Sequence, residues 1–76
     1  MFKGNSQREA AINELRTKLA ANPQDAHSYA KLGLLLLLQD KRQEAKMALR
    51  RAEALYRSQG HTDGLERIEM LSQKTD

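Results

Sequence analysis

The chain has 76 residues with no cysteine, one proline and four glycines, and its 13 lysines and arginines stand against 10 aspartates and glutamates for a formal charge of +3. One small domain is expected, because independent domains most often run to about 100 to 150 residues, and a two-domain enzyme, a disulfide framework and a thiolate metal cage are excluded. Only 39% of the residues are apolar, so the core is thin, and the interspersed charges describe a solvated surface more than a polyanion-binding one.

Valine is absent, isoleucine occurs twice, and Ala, Leu, Glu, Arg, Lys and Gln dominate, which predicts an all-α fold. Ser6 and Glu9 have capping-box spacing ahead of a first helix over about 7–21, whose apolar stripe is Ala11, Ile12, Leu15 and Leu19. Asn22-Pro23 stops it, since proline lacks a donor and pushes the preceding residue out of the α region. Asp25 is placed to cap a second helix over about 26–39, which carries five consecutive leucines at 34–38. Five in a row reach every side of a helix, so this one must be covered on more than one face and forms the centre of the domain.

A cap-like turn at residues 40–43 leads into a third helix over about 42–58, with Ala45, Ala48, Leu49, Ala52, Leu55 and Tyr56 on one stripe. Gln59-Gly60 ends it, and Thr62 or Asp63, with Glu66 following, starts a fourth over about 63–73 whose stripe is Leu65, Ile68 and Leu71. Short connections make the four helices antiparallel neighbours. The start of the chain turns polar at once, and the apolar run near residues 32–38 falls far short of the roughly 20 residues that span a bilayer, so a cytoplasmic chain, or a piece of a longer one, is expected.

With Ala26 set as the first position of a repeat, Tyr29, Leu32, Gly33 and Leu36 fall on its aromatic, Leu-Gly and tyrosine positions, and Ala45, Leu49 and Ala52 fall on its small, large and small ones. This pattern resembles the tetratricopeptide repeat family. Ala11 and Leu15 stand 34 residues before Ala45 and Leu49, as Pro23 does before Arg57, so the first helix looks like the second half of a preceding repeat. The chain departs from the pattern at Arg57, where the family has proline, at Arg42, where it has an aromatic, and at Lys18, a small position. Leu65 and Ile68 fit as a further first helix only with a loop two residues longer, and then Glu69 stands where glycine would.

The resemblance implies an antiparallel helix-turn-helix array of about one and a half repeats with a C-terminal capping helix. It implies a non-catalytic protein-interaction module whose groove is lined by His27, Ala30, Lys31, Leu34, Leu37 and Leu38. Three leucines there suit an apolar or amphipathic peptide, and Lys31 and the Arg50/Arg51 region are expected to steer acidic groups. Gly33 and Ala45 would sit where the helices of the hairpin press together, and Ala52 would admit the next helix.

Other readings stay open. Leu34 and Leu37 can instead touch the first and fourth helices, and the leucine face can make a homodimer. Lys41, Arg42, Lys46, Arg50, Arg51 and Arg57 offer phosphate contacts to a nucleic acid, but Glu44 and Glu53 interrupt them and few aromatics exist for stacking, so a solvated face is favoured. Catalysis and cofactors are not expected. His27 and His61 are far apart in sequence, His61 with Asp63 supplies at most two metal ligands, and a loop histidine beside a helix cap is the preferred reading of His61.

Overall fold

In the computed structural model, the backbone of residues 3–73 and the side chains of residues 7–73 are described. The chain forms four helices, α1 (Lys3–Ala21), α2 (Ala26–Leu38), α3 (Arg42–Ser58) and α4 (Thr62–Gln73), and no strand occurs among the described residues. The fold is all-α.

The helix boundaries follow from local chemistry. Helix α1 starts at Lys3, four residues ahead of the expected start, which places Ser6 and Glu9 inside the helix. A capping box marks a permitted start and does not enforce one, and no proline precedes it; the side chain of Ser6 lies outside the described residues. At the other end Asn22 N–H still bonds Lys18 O at 2.8 Å, and Pro23 then ends the ladder. Asp25 caps α2, its Oδ1 accepting from Ser28 N–H at 3.2 Å and its Oδ2 from Ser28 Oγ–H at 2.7 Å.

Helices α2 and α3 end in the same way. Lys41 N–H bonds Leu36 O at 2.9 Å and Asp40 N–H bonds Leu37 O at 3.0 Å, with Asp40 at φ 60°. His61 N–H bonds Tyr56 O at 2.8 Å and Gly60 N–H bonds Arg57 O at 3.2 Å, with Gly60 at φ 69°. Both are Schellman closures, in which a left-handed residue lets two amides turn back onto the last carbonyls. Each residue after the left-handed one is the N-cap of the next helix, so the connections are short. Lys41 makes no side-chain cap, whereas His61 does.

The start of α4 therefore differs from expectation: His61, not Thr62 or Asp63, is the capping residue, its Nδ1 accepting from Gly64 N–H at 3.0 Å. The extra residues before α4 also lie elsewhere than expected. The connection at residues 59–61 is shorter than that at residues 22–25, and the added length is in α3, which runs on to Ser58 because Arg57 stands where the proline 34 residues earlier stopped α1.

Each helix packs on its neighbour in sequence, α2 most extensively on α3, with a slight further contact of α2 with α4; the backbone of α1 does not come close to that of α3 or α4. One buried cluster joins Ile12, Leu15, Leu19, Leu32, Leu36, Ala45 and Ala48, and a second joins Ala26, Leu49, Ala52, Tyr56 and Ile68. Tyr29 and Leu37 are half-buried against both. Ala45, Leu49 and Ala52 are at most 1% exposed. The small residues admit close approach: a Cβ on Gly33 would lie 2.6 Å from Leu49 Cδ2, and one on Gly64 would lie 2.6 Å from the Tyr56 ring.

Candidate functional site

The leucine run of α2, residues 34–38, is apolar all round, yet only part of it is covered. Leu32, Gly33 and Leu36 are buried, whereas His27, Lys31, Leu34 and Leu38, spaced at 4, 3 and 4 residues, form one exposed stripe along the helix. Leu34 is 42% and Leu38 54% exposed. Ala30 and Leu37, at the edge of that stripe, are half-buried against the cluster that contains Ile68 of α4. The six groove residues named from the sequence thus share one side of α2, four of them open and two partly under α4. Beside the open stripe, Lys31, Leu34 and Leu35 face Ala11, Glu14 and Lys18 of α1 across a shallow groove. The groove is apolar along its base and carries both signs of charge at its edge.

The opposite side of α2 forms the floor of a second depression. Tyr29, Leu32 and Leu36 lie between α1 and α3 in a cleft of about 600 Å³ rimmed by Arg16, Glu44, Arg50 and Arg51. Arg16 Nη2 reaches Glu44 Oε1 at 3.1 Å, tying the two walls together at one end. At the other end the Arg51 guanidinium sits 5.9 Å from the centroid of the Tyr29 ring, within reach of cation–π attraction. Arg50 and Arg51 are therefore on the far side of α2 from Lys31 and Leu34, and cannot steer the same ligand onto the leucine stripe. The helical phase of residues 31 and 34 against 29, 32 and 36 carries that information. The tie between Arg16 and Glu44, 28 residues apart, has no local signal.

The basic residues of α3 are partly engaged. Arg42 Nε lies 3.4 Å from Asp40 Oδ1 and Arg57 Nη2 lies 3.5 Å from Oε2 of the half-buried Glu53, and such surface pairs are worth little individually. Arg51 is exposed and lies within cation–π distance of Tyr29.

A polar cluster stands at the end of the molecule where α2 and α4 begin. His27 and His61, remote in sequence, both reach Tyr56: His27 Nδ1 is 3.4 Å from the Tyr56 hydroxyl, and the His61 ring lies 5.0 Å from the Tyr56 ring at an angle of 47°. Burial pushes the Tyr56 hydroxyl pKa up, opposed by the positive charge of Arg67 and assisted by Asp25, so the group stays protonated. Asp25 is held below its ordinary value near 3.8, first by the hydroxyl hydrogen bond from Ser28, against desolvation, with help from the Ser28 amide and the charges of His27 and Lys18. The two histidines are exposed at the surface, and His61 spends its Nδ1 on the cap of α4. Among the described residues no group of three or more His, Cys, Asp or Glu side chains converges to hold a metal.

No described helix is long and apolar enough to cross a membrane. The chain matches no protein-family model, no curated protein and no solved structure.

Proposed function

We propose that the chain is a non-catalytic interaction module, a tetratricopeptide-like helical array that docks an apolar or amphipathic helix of a partner protein on the open stripe of α2. The observation that carries this reading is the exposure of Leu34 and Leu38, 42% and 54%, on the helix at the centre of the fold. A solvated stripe there would normally be polar. Several features support the repeat-like arrangement: neighbours in sequence pack pairwise, Gly33 presses on Leu49, and Ala45 and Ala52 have no exposure at all. The groove between α2 and α1 lies beside the stripe and widens the apolar surface, while Lys31, Lys18 and Glu14 at its edge set the register of a partner's charges.

The test is selection of helical peptides from a displayed library on the purified chain, followed by assignment of backbone amide shifts for the tightest one. Shifts clustering on Lys31, Leu34, Leu38 and the facing part of α1, and loss of binding in Leu34→Glu with Leu38→Glu at unchanged helicity, are the expected results. Peptides that bind the double variant as well as the parent would remove the reading.

A further inference from the structure

Helix α4 buries one side and leaves one that carries Glu66 and Glu69, with the exposed Arg67 beside Met70 at its flank. Ile68 is 1% exposed, whereas Met70 is 67% exposed and lies on the outward side with Glu66 and Glu69. Neither carboxylate forms an ion pair among the described residues. The α1–α3 cleft is the inverse of this surface: an apolar floor of Tyr29 and Leu32, with Arg16, Arg50 and Arg51 at its rim against the single carboxylate of Glu44.

We infer that the acidic stripe of α4 in one copy of the chain seats in the α1–α3 cleft of a second copy. Met70 enters over Tyr29 and Leu32, and Glu66 and Glu69 meet Arg50 and Arg51. From Glu44 to Ala54 the α3 wall runs about 15 Å at 1.5 Å per residue, longer than the roughly one turn from Glu66 to Met70. The cleft is open because the backbones of α1 and α3 stay apart, bridged at one end by Arg16 and Glu44, and within one chain α4 lies against α3 and α2. The two patches differ, so the contact is heterologous: in a pair one copy keeps a free cleft and the other a free stripe, and association continues into a chain or a ring. Small, charge-matched contacts of this kind are weak and weaken further as salt rises. Leu34 and Leu38 take no part, so this contact stands independently of the docking stripe on α2.

The experiment is sedimentation velocity of the full chain from micromolar to millimolar concentration, at low and at physiological salt, with two variants. Arg50→Ala with Arg51→Ala weakens the cleft, and Glu66→Ala, Glu69→Ala and Met70→Ala together remove the stripe. Every substituted position is exposed and alanine favours helix, so folding is checked by circular dichroism and expected to persist. The parent is expected to self-associate more strongly at low salt, and each variant alone to do so at least about tenfold more weakly. The decisive arm mixes the two variants: the first brings an intact stripe and the second an intact cleft, so they form a one-to-one complex that grows no further. Should Arg51→Ala disturb Tyr29, Arg50→Ala alone serves as the cleft variant with the same expectation. A parent that stays monomeric at millimolar concentration and low salt overturns the inference, as does a mixture of the variants that stays monomeric. Association abolished by Leu34→Glu with Leu38→Glu, in place of the α4 and cleft variants, overturns it too.

Discussion

Gly33 and Leu49 touch so closely that no side chain fits between α2 and α3: an added Cβ would lie 2.6 Å from Leu49 Cδ2 and 2.7 Å from its Cγ, with the Ala45 carbonyl oxygen 3.5 Å away. Glycine inside a helix costs about 1 kcal/mol relative to alanine, so its presence here is explained by packing. Gly33→Ala regains that propensity but forces apart the most extensive helix pair, at an overpacking cost of about 1 to 3 kcal/mol. The expected net result is a lower urea midpoint. In a Leu49→Ala background, itself destabilised by about 2 to 5 kcal/mol, the added methyl has room, and Gly33→Ala should become neutral or stabilising. A double-mutant cycle that gives simple additivity would contradict the contact.

The cap of α2 titrates. Asp25 accepts two hydrogen bonds from Ser28 only as a carboxylate, and its pKa is lowered in the folded chain. The unfolded chain therefore binds the proton more readily, and stability rises with pH across the window between the two values. The cap's contribution is fully present above its ordinary value near 3.8 and is lost as pH falls through the lower folded value. Asp25→Ala should cost about 1 kcal/mol at neutral pH and progressively less in acid. Asp25→Asn keeps a cap that does not titrate. Urea denaturation of the three proteins between neutral and strongly acidic pH measures this, and parallel curves for the parent and Asp25→Asn would rule it out.

Asp40 and Gly60 occupy the same place at the ends of α2 and α3, with φ values of 60° and 69°. Only one of them is glycine. The left-handed region costs a residue with a Cβ about 1 to 2 kcal/mol, less for aspartate. Asp40→Gly should thus stabilise the chain by a few tenths to about 1 kcal/mol, after the greater freedom of glycine in the unfolded state is subtracted. The exposed pair with Arg42 that it removes is worth little. Gly60→Ala should lower the melting temperature by about 4 to 8 °C, since about 1 kcal/mol moves a domain of this size that far. No neighbour lies within 4 Å of an added Cβ at Gly60, so the loss there would be backbone strain alone.

The boundaries of α3 at 42 and 58 are legible in the sequence because turn residues punctuate both ends, and so is the end of α1 at Ala21, because Pro23 leaves no choice. The start of α1 is not, because nothing upstream forbids helix. The five leucines of α2 announce burial on several sides without saying which: the open side is decided by where α1 and α4 lie, and that is a non-local property. Leu36 ends at 2% exposure and Leu38 at 54% although they are two residues apart. The contacts of His27 and His61 with Tyr56 are not legible either, because residues 34 apart in sequence carry no local signal of meeting.

His61 holds the start of α4 through its imidazole, Nδ1 accepting from Gly64 N–H at 3.0 Å while the ring rests on Tyr56 at 5.0 Å. Histidine is not among the favoured capping residues, and the tyrosine contact supplies the reason for its use here, since packing and capping come from one ring. His61→Ala removes both and is expected to destabilise the chain by about 1 kcal/mol or slightly more. His61→Asn restores the cap without the ring contact, so the difference between the two variants isolates the capping hydrogen bond. Amide exchange tells local from global loss: in His61→Ala the amide of Gly64 should exchange much faster than in the parent, while those of Leu36 and Leu49 in the clusters below should change only by the global loss of stability. Equal Gly64 protection in His61→Ala and His61→Asn would mean that the ring contact, and not the hydrogen bond, secures the helix start.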